Sequence, residues 1–415
     1  MRPSHAARWV LALVGLAGCA RLGGSADSYR GVFEGARPAV ATRDVLAVRW
    51  TRGLTGELDR PAVPVESAAA GLDPQRDRVF VGSAAGLFYA FDVRGRELAT
   101  YDPAAGIDAA PAIAQETGDV FLACDDGSVH ALALSGATTA RRGLGEGLRE
   151  SGEPPSLERS WRAETGGTVR RQPVLAEDAV YVVTEQDRVV AFSRESGEEL
   201  WRYERPWDGE FAISGHAGLT LHEGVLFTGM TDGTVVALDA ASGAPVWERP
   251  TAVDVSPDAA AAVTFFDVDT TPVVVDDAVY VAGFSAGFYV LERSSGSVRY
   301  RDGQLLGVVE LAAADDWVLL SSAERGLVAL RPSEEHTVAW ERPAGRGAVG
   351  RPVVLPRRGL VLAGETRGAL RALDLRSGRE LASLSSGTGF SAPLALEGRL
   401  GWALSNGGRL FAFRL

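Results

Sequence analysis

The sequence predicts an all-β fold, an eight-bladed β-propeller of four-stranded antiparallel blades, on three observations. One word recurs, clearest in Ala237-Leu238-Asp239-Ala240-Ala241-Ser242-Gly243-Ala244-Pro245-Val246-Trp247: a strand ending near a small residue, an Asp/Ser/Gly turn, then a tryptophan strand. Aligned on its first alanine, the word returns at Ala90, Ala131, Ala191, Ala237, Val290, Ala329, Ala372 and Ala412, eight copies 39 to 60 residues apart. A period of roughly 40–50 residues holding four short strands marks a propeller blade. The third observation is that the two ends of the pattern complete each other. Val45 to Trp50 reads as a tryptophan strand without the rest of its blade, and Gly407 to Leu415 reads as a third strand with no fourth after it. The amino-terminal strand is therefore expected to close the last blade, so that neither sheet edge is left open.

From the amino terminus, Arg2, His5 and Arg8 precede a short apolar run from Trp9 to Ala17, too short to span a bilayer as a mature helix, and then comes Leu16-Ala17-Gly18-Cys19. This resembles a bacterial lipoprotein signal, which implies a signal peptide over 1–18 and lipidation of Cys19. Acyl chains, palmitate among them, would then anchor the chain in the membrane without a transmembrane helix. The alternative is an ordinary secretory signal with an incidental cysteine. Ala20 after the cysteine implies, by the sorting rule of such proteins, the outer membrane facing the periplasm. Residues 19–42, rich in Gly, Ser, Ala and Arg, read as a flexible tether, and 43–415 as the propeller.

Between the ends the third blade shows the plan: Gln172-Pro173-Val174-Leu175 enters, Ala179 to Thr184 pairs with Val189 to Ser193, and Glu199 to Tyr203 lies outside. The tryptophan position is taken by Trp50, Trp161, Trp201, Trp247 and Trp340, by Tyr300 in the fifth blade, and by Ala99 and Ala382 in the first and seventh. These rings are expected to fill the grooves between blades. Gly136 to Glu158 lengthens a hairpin of the second blade and reads as a mobile surface loop. Thr251 to Asp267 lengthens the link from the fourth blade to the fifth, and with its aromatic residues beside acidic ones it is the better candidate for binding.

The formal net charge of −12, with all 42 basic residues arginine and no lysine, argues against nucleic acid as a partner and leaves no lysine nucleophile. After lipidation of Cys19 only Cys124 remains, so no intramolecular disulfide can form. Gly283-Phe284-Ser285-Ala286-Gly287 matches the G-x-S-x-G hydrolase pattern by letter, but strands flank it on both sides where an elbow needs a helix. Ser285 is expected in a hairpin turn. His130, His216, His222 and His336 lack metal spacing. Asp267 with Asp269, Asp276-Asp277 and Asp315-Asp316 lack the pattern of a calcium loop and read as solvated turns. No catalytic residue, metal or cofactor is expected.

The A-x-D-x-x-x-G-x-x-x-W word is similar to that of the quinoprotein alcohol dehydrogenases, which hold pyrroloquinoline quinone against a pair of disulfide-bonded adjacent cysteines. The likeness covers the blade scaffold, and a lone Cys124 does not supply that pair. Asp267-Val268-Asp269-Thr270-Thr271-Pro272-Val273-Val274, with the lipoprotein signal, eight blades and closing strand, resembles the BamB family of propeller lipoproteins of the outer-membrane β-barrel assembly machinery. The resemblance implies a non-catalytic scaffold that helps insert barrel proteins, as a monomer within a hetero-complex. It also implies contact with the periplasmic domains of the barrel-forming assembly protein through Asp267 and Asp269 and a preceding loop at Phe211, Ile213 and Ser214. Ser214 stands where an arginine is expected. The bare residues leave two readings open: the aspartates face a basic partner surface from exposed loops, or they bond backbone amides at a strand entrance. A propeller scaffold of another envelope complex, or after it a relative of the quinoprotein dehydrogenases, is the alternative function.

Overall fold

The computed structural model describes residues 45–54, 70–136, 154–205, 216–251 and 267–415. The expected ring is present. Eight four-stranded antiparallel sheets follow one another, seven built from consecutive strands. The eighth consists of Ala395–Glu397, Leu400–Leu404 and Arg409–Arg414, with Ala47–Gly53 from the opposite end of the chain as its outer strand. Thr51 lies opposite Phe411 and Trp50 opposite Ala412, so the terminal strand's polar backbone is paired and the ring has no open edge there. Cys19 and the signal and tether expected over 1–42 lie outside the described residues.

The recurring small residue sits on the third strand of every blade, directly opposite the tryptophan position on the fourth. The pairs are Ala131 with Trp161, Ala191 with Trp201, Ala237 with Trp247, Ala329 with Trp340, and Ala412 with Trp50. A register irregularity follows in all eight blades, the added twist turning the outer strand away from the axis. The small side chain leaves room for the indole to lean across it.

Each indole then crosses to the next blade. Trp201 Nε1 donates to the Ala240 carbonyl at 3.0 Å, and Trp161, Trp247, Trp340 and Trp50 bond Arg194, Arg293, Leu375 and Val93 in the same way. The ring lies on the glycine of that neighbouring turn: a Cβ on Gly243, whose φ is +72°, would stand 2.5 Å from Trp201 Cε3. The aspartate of the word organises this turn, Asp239 Oδ1 accepting from the Ser242 amide and hydroxyl. Aspartate, glycine and tryptophan therefore belong to one contact, made between neighbouring copies of the word.

The exceptions obey the same rule. Ala99 of the first blade would face the turn that the second blade replaces by residues 136–155, between strands Ser128–Ser135 and Ser156–Glu164. Ala382 of the seventh would face a turn the eighth blade lacks, since its fourth strand comes from the other end of the chain. Tyr300 meets a sixth-blade turn with no glycine, and there His336 stacks on it with ring centroids 4.4 Å apart.

Among the described residues the buried apolar side chains fall into eight clusters, each joining two neighbouring blades. Phe121 and Val129 of the second blade pack with Val180 and Val190 of the third, and Trp402 and Leu410 of the eighth with Val79 and Tyr89 of the first. Burying one such ring is worth about 2–3 kcal/mol, so the interfaces between blades hold the ring closed.

Candidate functional site

In an antiparallel blade the turn between second and third strands lies on the same rim as the link from one blade to the next. That rim, here called upper, carries the segment 267–272 at the foot of the fifth blade's inner strand, Val273–Val275. Two glycines let the segment lie flat on its neighbours: a Cβ on Gly229 would strike Val268, and one on Gly283 would stand 2.7 Å from the Asp267 carbonyl oxygen. Thr270 Oγ1 accepts from the Ala282 amide and donates to the Ala282 carbonyl, both at 2.8 Å. Thr271 Oγ1 accepts from the Gly218 amide, and Thr220 donates to the Pro272 carbonyl. The threonines thus tie the segment to the fourth and fifth blades.

The expectation that Asp267 and Asp269 are exposed on loops is overturned. Asp267 is 4% exposed and Asp269 8%. They lie in the interior because the glycines admit the chain between the blades. Burial, then the Asp267 charge, raises the Asp269 carboxyl to about 7, with Glu310 adding to the rise while His216 and Arg171 pull against it. Phe211, Ile213 and Ser214 lie outside the described residues.

His216 and its partners form a second buried group on this rim. His216 places Nε2 2.8 Å from Asp187 Oδ1 and Nδ1 2.9 Å from the Ala217 carbonyl. The Thr231 amide and hydroxyl also donate to Asp187. Burial would push Asp187 up, but the bonds and charge of His216 and the bonds from Thr231 hold its carboxyl below the ordinary value. Arg171 joins the group to the axis, its Nε donating to the His216 carbonyl and Nη1 to Glu310 Oε1 at 2.8 Å. Arg171 and Glu310 line an axial cavity of about 420 Å3 together with Gln115, Gln172 and Arg351.

Sequence reasoning missed Asp187, Arg171 and Glu310, although Asp187 left a signal. At the corresponding turn position, four residues before the aligned small residue, five of the other blades have glycine, at Gly86, Gly127, Gly233, Gly368 and Gly408, while the fifth and sixth have Ala286 and Arg325 with a glycine one place later, at Gly287 and Gly326. Asp187 takes the left-handed conformation there, with φ of 56°, at some cost in strain. The three bonds it accepts account for the departure.

The network is suited to holding rather than to catalysis. The Thr231 hydroxyl bonds the carboxylate instead of the imidazole, so no base activates it, and Asp187 and His216 are sealed from solvent. Ser285 lies in the turn between strands Ala278–Gly283 and Gly287–Glu292, as the flanking strands predict. Among the described residues no three His, Cys, Asp or Glu side chains gather as metal ligands, and no helix is long and apolar enough to cross a membrane. Cys124 is a buried free thiol that burial pushes up to about 12, which does not fit the cysteine pair of a quinone site.

A family model described as outer membrane protein assembly factor BamB matches residues 158–342, from the outer strand of the second blade to that of the sixth. The resemblance is to the BamB family. BamB of Bordetella pertussis is 30% identical over 177 residues, 40% of this chain and 42% of that protein. The crystal structure of BamB from Moraxella catarrhalis superposes with a TM-score of 0.69 at 19% identity, covering 89% of this chain and 100% of that one, which shows a shared fold. The 1-butanol dehydrogenase (cytochrome c) of Thauera butanivorans is 33% identical over 100 residues, 23% of this chain and 14% of the enzyme. The chain thus aligns with less than half the length of either curated relative. The match to the BamB family model spans the Asp187–His216 group, the 267–272 segment and Glu310.

Proposed function

We propose that this chain is a non-catalytic scaffold lipoprotein of the β-barrel assembly machinery, the Bam complex. It is anchored through Cys19 to the outer membrane on its periplasmic side and assists insertion of barrel proteins by binding the periplasmic domains of the barrel-forming assembly protein. The observation that carries this reading is the family match over 158–342, the arc in which residues 206–215 lead into the buried His216 and residues 252–266 into the buried Asp267. In this reading Phe211, Ile213 and Ser214 make the contact, and Asp267 and Asp269, which are buried, support it indirectly through the segment 267–272.

Affinity purification of the full-length protein from native outer membranes tests the proposal. The barrel-forming assembly protein should co-purify with the parent and be lost with Ile213→Glu, because a buried unpaired carboxylate at an interface costs several kcal/mol. Failure to enrich it from intact membranes would overturn the assignment. Quinone absorbance in the purified protein would favour the dehydrogenase reading instead.

A further inference from the structure

On the lower rim, opposite the 267–272 segment, the interface between blades five and six departs from the tryptophan–glycine contact and opens into a groove of about 840 Å3. Its floor is aromatic: Tyr300 and His336 stack with their planes 19° apart, and Tyr280 lies 6.2 Å from His336. Its walls are acidic, with Asp276, Asp277, Asp315, Asp316 and Glu335 against the single cation Arg299. Asp277 is occupied by Arg299, which also bonds Glu292, and Asp316 is occupied by Arg331 and Ser333. Asp276, Asp315 and Glu335 are exposed turn residues. Burial lowers the His336 imidazole against a smaller opposite pull from Asp316, which disfavours a positive charge there beside Asp276, Asp315 and Glu335.

The sixth blade shows what such a combination holds. Its own Arg331 lies with its guanidinium 4.5 Å from the centre of the Trp317 ring while donating to Asp316. A flat cation on an aromatic face with a carboxylate at its edge is a favourable arrangement for arginine, and lysine cannot reproduce its planar part.

We propose that this groove is a second docking site, which takes an arginine side chain presented on an extended segment of a partner protein. The guanidinium lies over the Tyr300–His336 stack and donates to Asp276 and Asp315. Because the groove is on the rim opposite the proposed assembly contact, both sites can be filled at once, and the proposal does not depend on that contact.

The test is calorimetric titration of the folded protein at low ionic strength with acetyl-Arg-Gly-Arg-amide and its lysine counterpart. The variants are Asp276→Asn with Asp315→Asn, Tyr300→Leu, and a charge-matched control, Glu195→Gln with Glu198→Gln, elsewhere on the surface. Asp276 and Asp315 have φ of 53° and 49°, a region asparagine tolerates, so the double variant keeps its turns. The proposal expects the arginine peptide to bind about fivefold or more tighter than the lysine one. It should weaken about tenfold in the Asp276/Asp315 variant and about fivefold in Tyr300→Leu, and be unchanged in the control. Absence of binding, equal affinity for the two peptides, or equal weakening by the control would overturn it.

Discussion

Gly243→Ala puts the contact between blades to its sharpest test. The substitution adds one carbon at a backbone position with φ of +72° and 2.5 Å from Trp201 Cε3. The left-handed conformation costs an alanine about 1–2 kcal/mol, and the forced shift of a packed ring about 1–3 kcal/mol, so the variant should lose roughly 2–5 kcal/mol. The two parts separate in a double-mutant cycle. Trp201→Ala alone should cost about 3 kcal/mol through the lost indole and its bond to the Ala240 carbonyl, yet it also removes the atom that Gly243→Ala would strike. The double variant should therefore be more stable than the sum of the singles by about 1–3 kcal/mol. Urea denaturation followed by tryptophan fluorescence and circular dichroism measures all four proteins. Strict additivity, or a Gly243→Ala protein as stable as the parent, would refute the claim that glycine and tryptophan of neighbouring words form one contact.

Deleting residues 47–53 removes the strand that pairs with Arg409–Arg414 and leaves Phe411 and Phe413 on an open edge, so aggregation or a marked loss of thermal stability is expected by scattering and calorimetry. Asp269→Asn should stabilise the fold at pH 8. The native carboxyl, raised to about 7, binds more protons than the unfolded one between pH 4 and 7, so the parent loses stability as pH rises through that window and the asparagine variant does not. Denaturation at pH 5 and pH 8 checks both the sign and the slope. Cys19→Ala should leave an unlipidated precursor absent from outer-membrane fractions, read by fractionation and mass spectrometry.

The strand pattern, the eight copies and the closing strand were legible because each depends on a local alternation or on a word repeated eight times. Ala99 and Ala382 were visible as departures at the tryptophan position, but their cause lies in the next blade, which no window of one blade's length contains. Asp267 and Asp269 look like turn residues in sequence, since aspartates beside threonines and a proline usually cap exposed turns. Their burial depends on Gly229 and Gly283 admitting the chain, and the charges of Arg171 and His216 that favour the Asp269 carboxylate arrive from elsewhere in the chain. Asp187 was legible in principle, as an aspartate at a position that is glycine in five of the other seven copies. Finding it requires comparing turns rather than strands.

Under the function proposed above, the upper rim over blades three to five docks the barrel-forming assembly protein. Titrating that protein's purified periplasmic domains into the folded chain tests it most directly, with Ile213→Glu run alongside and its urea midpoint measured. Saturable one-to-one binding is expected for the parent, and none for the variant at an unchanged midpoint. Parental affinity in a folded Ile213→Glu protein, or no binding by the parent, would contradict it.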